Sequence, residues 1–195
     1  MDQETLRFAV AGVVILLMLW MIGFGLLLKA RGIEANAIAE AGANYRQKLL
    51  IFGAGILDFY LILRAPFPQM DKIVAAQSSP APLLALALLG VGGAIIIFSQ
   101  SGMGESWRVG VPHQKNHVDK LVVKGLHQFS RNPVYLGIMV FLTGALAAAP
   151  GPFTLFAVLI SFLGLTIIIR QEEHYLEERF AEQYRTYKKR VRRWI

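Results

Sequence analysis

V-Y-L-G-I-M-V-F-L-T-G-A-L-A-A-A-P-G-P-F-T-L-F-A-V-L-I-S-F-L-G-L-T-I-I-I, residues 134–169, is a pair of uncharged apolar runs divided by Pro150 and Gly151. A proline–glycine pair breaks a helix and is too short to cross anything, so the stretch predicts a tight helical hairpin. A bilayer core of about 30 Å is crossed by roughly 20 helical residues. The run 152–169 approaches that length, and 134–149 reaches it when flanking residues snorkel or the helix extends into its loops. Three further apolar runs precede the hairpin, at 8–28, 49–63 and 82–98. The expected fold is therefore an all-α integral membrane protein of five transmembrane helices, a single membrane domain over 1–195, with three N-terminal spans in 1–99 and the polar loop, hairpin and tail in 100–195.

Composition agrees. Of the 195 residues, 55% are apolar, and the mean hydropathy of +0.48 is too high for a soluble domain of this size. There is no cysteine, which removes disulfides, thiolate metal sites and a cysteine nucleophile. His113, His117, His127 and His174 form no tight ligand pattern, so no metal is expected. Asp2 and Glu4 precede the first run, which is long enough to span, so a cleavable signal is not expected.

The net charge of +7 is explained by topology rather than by nucleic acid. With five spans and the N-terminus outside, the segments 29–48, 100–133 and 170–195 share a face and carry 17 of the 20 Lys and Arg residues. The opposite face carries Arg7, Arg64 and Lys72. Positive charge stays cytoplasmic, so the polar loop 100–133 and the C-terminal tail are expected together on the cytoplasmic face, against anionic headgroups.

Chemistry is expected in those two segments. Pro133 suits the first turn of a helix, and Asn132 is a plausible cap. A helix start there, with Arg131 beside it, favours a carboxylate. In the tail, Leu176, Phe180, Tyr184 and Tyr187 trace one apolar stripe of an amphipathic helix, and Glu172 and Glu173 fall in its first turn if a new helix begins there. Tyr184, Tyr187, Trp194 and the basic tail read as an interfacial belt. Trp107 and Arg108 suit either substrate binding or membrane anchoring. Asp58 lies inside the 49–63 run, where an ionisable group is costly and marks function unless it reaches the outer interface. Gly102 and Gly104 do not open a strand-turn-helix, which argues against a dinucleotide fingerprint.

From near Gly102 to the end, about half of the chain, the order of motifs resembles isoprenylcysteine carboxyl methyltransferases and related membrane phospholipid methyltransferases. The matching segments are Gly104-Glu105-Ser106-Trp107-Arg108-Val109-Gly110, Gly125-Leu126-His127, Arg131-Asn132-Pro133-Val134-Tyr135-Leu136-Gly137, Glu172-Glu173-His174-Tyr175-Leu176, and then Phe180, Tyr184, Tyr187 and Arg193-Trp194. Two positions depart from the family pattern: Asn132 stands where His is usual, and His127 where Tyr is usual. The resemblance implies methyl transfer from S-adenosylmethionine to a lipid-soluble or membrane-presented acceptor, such as a prenylated cysteine carboxylate, a phospholipid amine or a smaller molecule. It implies a cofactor site from Val122, Val123, Gly125, Leu126, His127, Arg131, Asn132, Pro133, Tyr135, Gly137, Glu172 and Glu173. Arg131, Glu172 and Glu173 are the catalytic candidates, and Trp107 and Arg108 the substrate contacts. Glu172 or Glu173 would serve the cofactor ammonium and Arg131 its carboxylate; an amine acceptor would add His127, His174 or a glutamate as base. The alternatives are an NADPH-dependent reductase resembling sterol reductases, for which the chain is short, and a non-enzymatic membrane assembly or transport factor.

Overall fold

The computed structural model of the chain describes residues 1–35, 45–110 and 117–195. His113 and parts of two of the basic loops lie outside the described residues. The architecture is all-helical, with α1 at Gln3–Ala30, α2 at Tyr45–Leu63, a one-turn α3 at Met70–Ile73, α4 at Pro82–Met103, α5 at Pro133–Ala148 and α6 at Pro152–Arg190. Proline opens α4, α5 and α6, where its missing N–H costs nothing. Asp2 caps α1 by accepting from the Thr5 N–H at 2.7 Å.

Among the described residues, three helices are long and apolar enough to cross a membrane: Gln3–Ala30, Pro82–Ser106 and Pro152–Arg190. The apolar parts of the other two, Phe52–Leu63 and Pro133–Ala148, are shorter. The helices share a core that includes Leu6, Val10, Leu61, Leu89 and Ala145. Exposed Leu16, Leu19, Phe52, Phe59, Phe156 and Leu163 cover the outside, the inverse of a soluble protein and the pattern that hydrocarbon solvates.

The closest helix pair is α4 with α5. A Cβ on Gly92 would lie 2.5 Å from the Phe141 nitrogen, and one on Gly137 2.9 Å from the Gly92 oxygen. Small residues let two backbones touch, which substitutes for the hydrophobic drive that lipid removes. At one end of the bundle, Arg64 is buried and grips Asp71 with two hydrogen bonds of 2.8 and 2.9 Å while also donating to the Ala148 carbonyl at 3.2 Å. Arg7 lies 3.6 Å from the same carboxylate. Gln77 N–H donates to the Pro150 carbonyl, so the start of α1, the 64–81 segment and the 150–151 turn meet there. This is the turn end.

The opposite end gathers the polar loops. Val109 N–H donates to the Ala35 carbonyl, Val118 N–H to the Tyr175 hydroxyl, and Arg131 N–H to the Arg192 carbonyl. Here the structure corrects an expectation. No new helix begins at Glu172: α6 runs through it, and the break comes at Ala181, whose φ is 42° and ψ −114°. Eleven residues of straight helix would separate Glu177 from Lys188 by about 16 Å, yet Lys188 Nζ lies 3.2 Å from the Glu177 carboxylate. The tail therefore folds back, and the stripe from Leu176 to Tyr187 belongs to two segments rather than one face.

Candidate active site

The tail returns because of one carboxylate. Glu173, 6% exposed, accepts from Arg131 Nη2 at 3.0 Å, Asn132 Nδ2 at 3.3 Å, Arg193 Nε at 3.1 Å and Arg193 Nη2 at 2.7 Å. Ser130 Oγ adds a bond to the Arg193 carbonyl at 3.0 Å. Asn132 does occupy the cap position of α5, but its side chain makes no cap bond and serves Glu173 instead. Burial opposes the Glu173 carboxylate. The Arg193 hydrogen bond and the charges of Arg131 and Arg193 outweigh it and hold its pKa below the ordinary value.

Glu172, one residue earlier, has the opposite environment. Its Oε2 accepts from the Tyr135 hydroxyl at 2.7 Å, and burial, reinforced by the neighbouring Glu173 charge, pushes its pKa up despite that bond. Adjacent helical residues diverge by about 100°, so one carboxylate enters the ion cluster and the other faces a cavity. The second residue is thus not equivalent to the first: Glu173 positions Arg131 and the tail.

That cavity has a volume of about 500 Å³ and is lined by all five long helices. Its polar end comprises Trp107, Arg108, His127, Arg131, Tyr135 and Glu172, and the rest is largely apolar. A smaller pocket of about 50 Å³, lined by Val122, Leu176 and Tyr187 among others, shares Arg108, His127, Arg131 and Glu172 with it. Asn132 and Pro133 also line the large cavity, whereas Val123, Gly125, Leu126 and Gly137 line neither. Gly137 serves the α4–α5 contact.

Arg131 donates through Nη2 to Glu173 and through Nη1 to the Lys188 carbonyl at 3.3 Å, leaving a buried Nε without a partner among the described residues. Arg108 is occupied with carbonyls of Glu105, Trp107 and His117. His127 is buried, and desolvation lowers its pKa to about 4, so the imidazole is neutral at physiological pH. His174 is exposed and paired with Glu178 at 3.2 Å, away from both cavities.

Two residues expected at a lipid interface are instead buried inside the protein. Tyr184 and Tyr187 are buried, and the Tyr187 hydroxyl donates to the His127 carbonyl at 2.7 Å. Nothing in the sequence marks the bend that brings them there, since Ala181 is not a residue that announces a positive φ.

The family model for phospholipid methyltransferases matches residues 81–183, slightly more than half of the chain. The chain belongs to the phospholipid methyltransferase family. Membership makes it a membrane methyltransferase acting on lipid acceptors. The matched segment contains Trp107, Arg131, Tyr135, Glu172 and Glu173, and ends just past the Ala181 bend. Tyr184, Tyr187 and Arg193, all on the returning tail, lie beyond it, as does everything before Ala81. Neither individual characterised proteins nor solved structures give a match.

Proposed function

We propose that the protein transfers a methyl group from S-adenosylmethionine to a lipid-soluble acceptor held in the large cavity. The observation that carries this reading is the pairing, at one end of an apolar chamber, of a cavity-facing carboxylate with a guanidinium that keeps a free, buried donor. The donor set fits the cofactor. Glu172 suits an ammonium, the Arg131 guanidinium beside it a carboxylate, and neutral His127 adds no positive charge to repel a sulfonium. When bound, S-adenosylmethionine supplies an electrophilic methyl group on that sulfonium. The chain's task is to hold and align, because methyl transfer is an in-line displacement in which positioning supplies much of the rate. Glu173 fixes Arg131 through one hydrogen bond and the returning tail through two more.

The acceptor enters, in this reading, from the bilayer. Met18 and Ile22 on α1 and Ala54 and Gly55 on α2 line the cavity and are also exposed, and all four lie within apolar runs. We place five helices across the membrane, with the N-terminus outside and the polar end of the cavity cytoplasmic. Two of the three basic residues at the turn end, Arg7 and Arg64, pair with Asp71, which further reduces the free positive charge on that face.

Calorimetric titration of the detergent-solubilised full chain with S-adenosylhomocysteine and with NADPH tests the reading. Binding of S-adenosylhomocysteine, weakened at least tenfold (about 1.4 kcal/mol) by Arg131→Ala or Glu172→Ala, is the expected result. Binding of NADPH alone would overturn it in favour of a reductase.

A further inference from the structure

The large cavity has a second polar region that methyl transfer does not use. Asp58 on α2 and Ser161 on α6 line the same chamber as Arg131 and Glu172. Among the described residues neither side chain has a hydrogen-bond or ion-pair partner. Asp58 is half-buried and shares a largely apolar cavity wall with Val14, Leu17 and Leu165. A carboxylate in such a place is costly unless something satisfies it.

Depth along the helices separates this region from the reacting end. Arg64 marks the turn end through its bond to Ala148, and α6 starts at Pro152 just past that turn. At 1.5 Å per residue Asp58 lies about 9 Å, and Ser161 about 14 Å, from that end, whereas Glu172 lies about 30 Å along α6. The two polar regions are thus roughly 15 to 20 Å apart in one chamber.

We infer that Asp58 and Ser161 form a second subsite of the acceptor chamber, which takes a hydrogen-bond-donating group, hydroxyl or ammonium, at the far end of a bipolar amphiphile. This deepens the proposed function and rests on reading the cavity as the acceptor's. An acyl chain ending in a methyl group would leave the Asp58 carboxylate facing hydrocarbon. A chain ending in a donor pairs with it, and Ser161 supplies a further acceptor.

The test uses the solubilised full chain and three ligands of one chain length: dodecanol, α,ω-dodecanediol and ω-aminododecanol. Affinities are read from the change in tryptophan emission, since Trp107 lines the chamber. Both bipolar ligands are expected to bind about tenfold tighter than dodecanol, the worth of one well-made hydrogen bond. Asp58→Leu, which suits the apolar wall, is expected to abolish that advantage while leaving dodecanol binding and the thermal midpoint intact, and Ser161→Ala to reduce it. Asp58→Asn, near-isosteric and still an acceptor, is expected to retain the advantage of the diol and to weaken that of the amine. Equal affinity for all three ligands in the natural protein, or an advantage that survives Asp58→Leu, overturns the subsite. Titration with S-adenosylhomocysteine on the same samples separates the two readings. If it binds while the ligands are not distinguished, the subsite fails and methyl transfer stands. If it does not bind while the bipolar preference depends on Asp58, the subsite stands and methyl transfer fails.

Discussion

Glu173→Gln removes the charge that organises the cytoplasmic end as we place it, and its cost follows from the geometry. Glutamine keeps one acceptor oxygen but presents an NH2 where Glu173 Oε2 receives Arg193 Nη2 at 2.7 Å. Removing one partner of a buried pair costs about 3–5 kcal/mol, because the other charge stays desolvated. Arg131 qualifies at 9% side-chain exposure; Arg193, at 34%, adds only a surface-pair amount of up to about 1 kcal/mol. The expected loss is about 3–6 kcal/mol, or roughly 6–24 °C in the thermal midpoint for a chain of this length. The pH dependence gives a second check. Because the folded pKa of Glu173 lies below its ordinary value, its stabilisation is complete above the unfolded carboxylate pKa of about 4.3 and is lost as pH falls through the folded value. Thermal melts of the natural protein and the variant should therefore differ at pH 7 and converge in acid. An unchanged midpoint at pH 7, or a gap that persists well below pH 4, would refute the argument.

Gly137→Ala should lower stability by about 2 kcal/mol by forcing α4 and α5 apart, since its Cβ would meet Gly92 O and Ile96 Cγ1 at 2.9 Å; melting in detergent checks it, and S-adenosylhomocysteine affinity should fall less than tenfold. Ala181→Gly should stabilise by about 1 kcal/mol, because glycine adopts a positive φ without the clash an alanine meets; a loss of stability would show that the bend is not where the strain lies. Affinity for S-adenosylhomocysteine should rise with pH through the raised pKa of Glu172, because an ammonium pairs with the ionised carboxylate, and the slope should vanish in Glu172→Gln.

The helices were legible because their signals are local. Pro82, Pro133 and Pro152 open helices where the sequence places them, and the Pro150–Gly151 turn joins α5 to α6. The site was legible as a set of segments: Arg131, Tyr135 and Glu172 do converge on one cavity. What the sequence could not show is which of two adjacent glutamates faces it. That depends on the rotation of α6 about its own axis, fixed by Arg193, twenty residues along the chain. The inward course of Tyr184 and Tyr187 was hidden for a related reason. Their spacing continues a straight amphipathic stripe, and the long-range pull of Glu173 on Arg193, not any local breaker, folds the segment back at Ala181.

One of the two departures from the family pattern belongs to the same cluster. Asn132 gives Glu173 a hydrogen bond that an amide makes without exchanging a proton, and a charged imidazole there would add a third cation beside Arg131 and Arg193. His127 sits between the two cavities with a pKa of about 4, too weak a base to deprotonate an alkylammonium. Glu172, in the proposed reading, is committed to the cofactor ammonium. The polar end therefore suits acceptors that arrive already deprotonated: a carboxylate, a thiolate or a free amine. At saturating cofactor, the rate with a carboxylate acceptor should stay level from pH 7 upward, while the rate with an amine acceptor should climb with the free-amine fraction until it reaches the amine's own pKa. An amine profile that levels off well below that pKa would reveal an enzyme base, and Glu172 would then have to be reassigned from holding the cofactor to taking the proton.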